Sequence, residues 1–80
     1  MVSVKVLGTG CKRCTTLEEI VRNVVKENQI DAIVEKVTEI QEFITYGILA
    51  TPGLIINEKV VSSGIVPSKE KILEWLKQGN

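Results

Sequence analysis

Two cysteines are the residues of this 80-residue chain whose type and spacing most clearly indicate chemistry. They are Cys11 and Cys14, and Lys12 and Arg13 lie between them. Thiols three positions apart can form a reversible disulfide, and as thiolates they can bind a soft metal ion. Small secreted domains that depend on disulfides usually carry four, six or eight cysteines, so a single pair indicates redox chemistry or metal binding instead.

The rest of the composition excludes several classes of function. The chain has no histidine, so catalysis by an imidazole base and metal binding through imidazole are both excluded. Ten Lys plus Arg balance ten Asp plus Glu, which leaves no basic surplus for a nucleic-acid partner. No apolar run approaches the roughly 20 residues of a membrane span, and residues 1–10 do not resemble a signal peptide. We therefore expect a cytoplasmic protein with no membrane or nucleic-acid partner and no cofactor, and with no metal if the cysteine pair is redox-active.

The pattern of apolar residues predicts one domain over residues 1–80, with elements in the order β-α-β-α-β-β-α. Strands are predicted near residues 2–7, 30–37, 54–56 and 59–62, and helices near residues 11–28, 39–46 and 69–78. The first strand-helix-strand unit implies parallel pairing, and the tight turn at Asn57-Glu58 implies antiparallel pairing. The predicted fold class is therefore α/β, with a four-stranded mixed sheet and three helices.

Local signals predict where two helices start and which faces they bury. Thr38 begins a sequence with the form of a capping box, and Ser68 is the expected N-cap of the last helix. Ile40, Phe43 and Ile44 are expected to share the buried stripe of the middle helix. The apolar face of the first strand is expected to pack against the first and last helices, and its more polar face against the short middle helix.

The cysteine pair is predicted to lie where the first strand ends and the first helix begins. Amides in the first turn of a helix lack intrahelical partners and carry partial positive charge, so the pKa of Cys11 is expected to be lowered. Lys12 and Arg13 are expected to add to this stabilisation of the thiolate. Cys11 is therefore the expected exposed nucleophile. Cys14, which is expected to be covered by the helix and by Thr51-Pro52, is the expected resolving thiol.

The order of motifs along the whole chain resembles the thioredoxin superfamily, and the length is similar to that of its small prokaryotic redox-active disulfide proteins. The motifs are Gly10-Cys11-Lys12-Arg13-Cys14 between strand and helix, Thr51-Pro52-Gly53 before a hairpin, and Gly64 before the terminal helix. The resemblance implies that Pro52 is cis and lies against the cysteines, and that the backbone of Thr51 pairs with an extended substrate. It also implies a monomeric protein dithiol-disulfide oxidoreductase that is recharged by a separate reductase.

The chain departs from that resemblance at several positions, among them Gly10 and Lys12-Arg13, where thioredoxins have Trp and Gly-Pro, and Lys5. Thioredoxins carry a buried acid on the strand before the cysteine motif, and Lys5 falls at about that place in this chain. A lysine on an interior strand is costly to bury without polar partners. We therefore expect Lys5 to lie on the more polar face of the sheet.

Two other functions are compatible with a cysteine pair in this setting. Heavy-metal-associated domains also place two cysteines after a first strand, and their thiolates select Cu(I) or Zn²⁺. Those domains have the order β-α-β-β-α-β, so a strand over residues 72–76 would favour a metal carrier. The second alternative is a binding module whose cysteine pair only regulates docking.

Overall fold

The structure is a computed structural model that describes residues 2–78, so residues 1, 79 and 80 of the predicted domain lie outside it. All seven predicted elements are present in the predicted order. They are β1 (Val2–Leu7), α1 (Lys12–Glu27), β2 (Ala32–Val37), α2 (Ile40–Thr45), β3 (Gly53–Ile56), β4 (Lys59–Ser63) and α3 (Lys69–Gln78). None of these three helices is long and apolar enough to cross a membrane.

The four strands form one mixed sheet in the order β2-β1-β3-β4. β1 pairs with β2 in parallel and with β3 in antiparallel orientation, and β3 and β4 form the antiparallel hairpin. These pairings confirm the predicted fold class. β1 is an interior strand, and its last residue, Leu7, pairs with Gly53 at the start of β3. This register brings the segment after β1 next to the segment before β3.

The two faces of the sheet are covered as the alternation in β1 predicts. Val2, Val4 and Val6 join the larger apolar cluster with buried residues of α1 and α3. Leu7 lies on the opposite face, in a smaller cluster with Phe43 of α2 and residues of the neighbouring loop and strand. Helix α1, which begins at the cysteine motif, therefore packs against the face of the sheet that carries the larger apolar cluster.

Two expectations for α2 are wrong. The N-cap is Glu39, not Thr38, and its side chain makes no capping hydrogen bond. Phe43 is buried as expected, but Ile40 and Ile44 are 67% and 73% exposed. The helix has six residues and covers only the small cluster around Leu7, so Phe43 alone of these three reaches the sheet.

The β3–β4 turn and the start of α3 agree with their sequence signals. Asn57 and Glu58 have φ values of 51° and 68°, the left-handed geometry that a two-residue hairpin turn of type I′ requires. Ser3 closes the turn against β1, because its amide donates to Asn57 Oδ1 at 3.0 Å. Ser68 caps α3, since the Lys71 amide donates to Ser68 Oγ at 3.3 Å.

Candidate redox site

Cys11 is the N-cap of α1, and its side chain takes part in the cap. The backbone of Cys11 is extended, and the Cys14 amide donates to Cys11 Sγ at 3.2 Å. Gly10, with φ of +87°, supplies the left-handed residue that turns the chain from β1 into the helix. The sulfur of Cys11 thus lies at the positive end of the helix dipole, where a thiolate is favoured.

The two cysteines differ in access to solvent although they are joined by a disulfide. Their Cα atoms are 5.1 Å apart, within the usual range for a disulfide. Cys11 is exposed, whereas Cys14 is 3% exposed and faces the interior from the first turn of α1. An incoming disulfide can therefore approach Cys11 from solvent, while Cys14 is covered.

Gly8 is a site residue that the sequence reasoning missed. A Cβ atom at this position would lie 2.6 Å from Cys14 Cβ, closer than real Cβ contacts allow. The Gly8 amide donates to the Val37 carbonyl at 3.0 Å, which extends the β1–β2 pairing by one residue and holds the backbone against the buried cysteine. The sequence marks Gly8 only as the end of a strand, because this close approach depends on how α1 packs.

The Thr51-Pro52 peptide bond is cis. Pro52 is buried and Thr51 is partly exposed. The last residue of β4 and the loop after it hold this segment by two hydrogen bonds: Ser63 Oγ donates to the Ala50 carbonyl at 3.0 Å, and the Gly64 amide donates to the Pro52 carbonyl at 2.9 Å. Since Pro52 immediately precedes β3, the pairing of Leu7 with Gly53 brings it to the end of β1 that leads to the cysteines.

The two basic residues between the cysteines have different surroundings. Lys12 is the exposed first residue of α1. The Arg13 guanidinium, through Nη2, donates to the Gly64 carbonyl at 2.5 Å. The sequence predicts that both residues stabilise the Cys11 thiolate. It does not predict the contact of Arg13 with Gly64, because the two residues are 51 positions apart.

Lys5 has polar partners, as expected for its face of the sheet. Its Nζ donates to Tyr46 Oη at 2.9 Å and forms an ion pair with Glu58 at 3.5 Å. The hydrogen bond from Tyr46 and the charge of Lys5 lower the pKa of Glu58, and the hydrogen bond to Tyr46 is the main cause that raises the pKa of Lys5. Lys5 is therefore a paired cation on this face of the sheet.

The arrangement defines a class: a four-stranded α/β fold with a disulfide at a helix N-terminus and a cis-proline beside it. The family model of the thioredoxin domain matches residues 2–77. The thioredoxin of Methanothermobacter thermautotrophicus is 40% identical over 76 residues, which cover 95% of this chain and 99% of that protein. The thioredoxin of Methanocaldococcus jannaschii is 39% identical over 77 residues, or 96% of this chain and 88% of that protein.

Solved structures show the same fold. A variant thioredoxin from Halobacterium salinarum superposes with a TM-score of 0.77 at 19% identity, covering 96% of this chain and 73% of that one. The germline-specific thioredoxin Deadhead of Drosophila melanogaster gives a TM-score of 0.70 at 16% identity, covering 96% of this chain and 79% of that one.

The chain belongs to the thioredoxin family. It is a protein thiol-disulfide oxidoreductase, and Cys11 and Cys14 form its redox-active disulfide. The metal-carrier alternative needs a strand over residues 72–76, but this segment lies within the helix α3 (Lys69–Gln78).

Proposed function

We propose that the protein reduces disulfides in partner proteins, with Cys11 as the nucleophile and Cys14 as the resolving thiol. The observation that carries this assignment is the asymmetry of the pair. Cys11 is exposed and accepts the Cys14 amide hydrogen bond at 3.2 Å, while Cys14 is 3% exposed. A thiol that is both accessible and favoured as thiolate is the better attacking group.

The reaction proceeds in two exchanges that transfer two electrons. The Cys11 thiolate attacks one sulfur of the partner disulfide, forms a mixed disulfide and releases the other partner sulfur as a thiolate that takes up a proton. Cys14 then loses its proton and attacks Cys11 Sγ. The Cys11–Cys14 disulfide forms, the mixed disulfide breaks, and the second partner thiolate leaves and is protonated.

Return to the dithiol requires a separate reductase, which donates two electrons to the Cys11–Cys14 disulfide. A cytoplasmic location fits this direction of transfer, because that compartment keeps thiols reduced. A single copy carries both cysteines and the Thr51-Pro52 segment, so we propose that the protein acts as a monomer. The partly exposed backbone at Thr51 is the proposed pairing site for an extended partner segment.

Reduction of insulin with dithiothreitol as donor tests this proposal. We expect the wild-type protein to accelerate reduction, Cys11→Ser to abolish the acceleration, and Cys14→Ser to slow it, because resolution then depends on the external thiol. The exposed substitution Glu74→Gln on α3 is the matched control and should match the wild type. The enzymatic proposal fails if the wild type is no faster than Cys11→Ser.

The same experiment separates the proposal from a module whose cysteine pair only regulates docking. Such a module would bind its partner differently in the oxidised and reduced states, but it would not accelerate insulin reduction. The identity of about 40% to two thioredoxins over nearly the whole chain supports an enzymatic function.

A further inference from the structure

Arg13 lies between the two cysteines, yet its charged group is bound elsewhere. Its Nη2 donates to the Gly64 carbonyl at 2.5 Å. Gly64 belongs to the loop that follows β4, and it is separated from the cysteine motif by most of the chain. The side chain of Arg13 thus links the start of α1 directly to this loop.

We propose that Arg13 is a positioning residue: it ties the cysteine motif to the loop after β4 and thereby fixes the position of Thr51-Pro52 relative to Cys11, where a partner protein would bind. In this assignment the thiolate-stabilising charge comes from Lys12 and the helix terminus, and Arg13 acts through Gly64. The inference rests on the proposed function for the identity of the bound partner, but the contact itself does not depend on it.

Gly64 is the point through which Arg13 reaches the cis-proline segment. Its carbonyl accepts from Arg13, and its own amide donates to the Pro52 carbonyl at 2.9 Å. The carbonyl and the amide of Gly64 therefore connect Arg13 to Pro52 through two successive hydrogen bonds. A movement of Gly64 would therefore strain or break one or both of these hydrogen bonds.

Two further contacts, from the last residue of β4 and from the loop after it, hold the proline segment in place. Ser63 Oγ donates to the Ala50 carbonyl at 3.0 Å. Gly64 has φ of +80°, and a Cβ there would lie 3.0 Å from Ala50 Cβ, so its backbone is packed closely on that residue. The loop after β4 and residues 50–52 thus form one unit, and Arg13 joins this unit to α1.

The relative position of Cys11 and Thr51 matters more for the binding of a large partner than for that of a small one. A protein segment that contacts both Cys11 and the backbone of Thr51 needs these two points at a fixed separation, since a mispositioned site weakens binding. A small disulfide needs access to Cys11 only. Loss of the Arg13 bond should therefore raise KM for a protein disulfide and leave the reaction with a small disulfide nearly unchanged.

Three variants separate positioning from thiolate stabilisation: Arg13→Gln, Arg13→Lys and the matched control Lys12→Gln. Hydrogen bonds from charged donors are strong enough that we expect Arg13→Gln to raise KM for insulin about tenfold. The rate with hydroxyethyl disulfide should stay within about twofold, because this reaction needs access to Cys11 only. Arg13→Lys keeps one charged donor and should recover most of the loss, whereas Lys12→Gln should raise the pKa of Cys11 and leave hydrogen exchange at the Gly64 amide unchanged.

Hydrogen exchange provides a readout that does not depend on activity. In the oxidised protein, the Gly64 amide should exchange faster in Arg13→Gln than in the wild type and in Lys12→Gln. The proposal is overturned if exchange at Gly64 or KM for insulin is unaltered in Arg13→Gln, or if this variant raises the pKa of Cys11 as much as Lys12→Gln does. If the wild type reduces no insulin, the proposed function fails, and the exchange comparison alone decides the role of Arg13.

Discussion

At the scale of single residues, the site depends on the glycine at position 8 as much as on the two cysteines. The buried thiol of Cys14 has room only because residue 8 has no Cβ. Its exposed partner, Cys11, meets the helix terminus through the Cys14 amide. These placements leave Cys11 exposed and Cys14 covered.

Gly8→Ala tests the close packing of the buried cysteine. The added methyl group would meet Cys14 Cβ at 2.6 Å, so either the strand end or the start of α1 must shift. Overpacking of this kind typically costs about 1–3 kcal/mol, and we expect that loss in urea unfolding of the oxidised protein. Thr9→Ala, at the adjacent exposed position, should stay within about 0.5 kcal/mol of the wild type. Equal stability of Gly8→Ala and Thr9→Ala would show that the contact is not close.

At the scale of elements, the β3–β4 hairpin is tied to β1 at its turn. Glu58 lies in the turn and pairs with Lys5 of β1, and Tyr46, just after α2, donates a hydrogen bond to the same carboxylate. The contact joins a turn, a central strand and the end of α2 on one face of the sheet. The turn itself lies beside Ser3, near the amino-terminal end of β1.

This contact predicts a pH dependence of stability. Tyr46 and Lys5 lower the pKa of Glu58 in the folded state, so the carboxylate form is favoured by folding. The resulting stabilisation is present above the ordinary value of 4.5 and is lost as the pH falls through the lowered pKa. Glu58→Gln should flatten the decline in stability below that pH, measured by urea unfolding at a series of pH values. Glu74→Gln is the control on α3, and an equal acid-side decline in Glu58→Gln and the wild type would contradict the pairing.

Local patterns were sufficient to predict most elements. Alternating valines identify β1, and the apolar stripe of α1 has the helical period, so both follow from residues close in sequence. The same reasoning was wrong for α2, because a helix of six residues has little propensity signal and its burial depends on the small cluster below it. Element order and pairing were therefore predictable, whereas the contact face of the shortest helix was not.

The candidate site shows the same limit. Cys11 and Cys14 were predicted from residue type and spacing, and Pro52 from the resemblance of the motifs to the thioredoxin superfamily. Gly8 and the contact of Arg13 were not, because each depends on how distant segments pack. Arg13 and Gly64 are 51 positions apart, and no local pattern indicates that one donates to the other.

At the scale of the whole molecule, the sheet order brings the site together. β1 and β3 are neighbouring interior strands. The cysteine motif after Leu7 and the proline before Gly53 therefore lie at the same end of these two strands. The chain has no net charge to steer partners over long distances. Selection of partners is therefore expected to depend on the local surface around Cys11 and Thr51.

In the proposed reaction, Cys11 attacks a protein disulfide and Cys14 resolves the mixed disulfide. The most direct test is to mix reduced Cys14→Ser and reduced Cys11→Ser separately with excess insulin, without added thiol, and to quantify mixed disulfides by mass spectrometry. Because a thiolate at the helix terminus is both exposed and stabilised, Cys14→Ser should form a stable adduct through Cys11 at least about tenfold faster than Cys11→Ser does through Cys14. Equal rates in the two variants, or a faster reaction through Cys14, would contradict the proposed roles of Cys11 as nucleophile and Cys14 as resolving thiol.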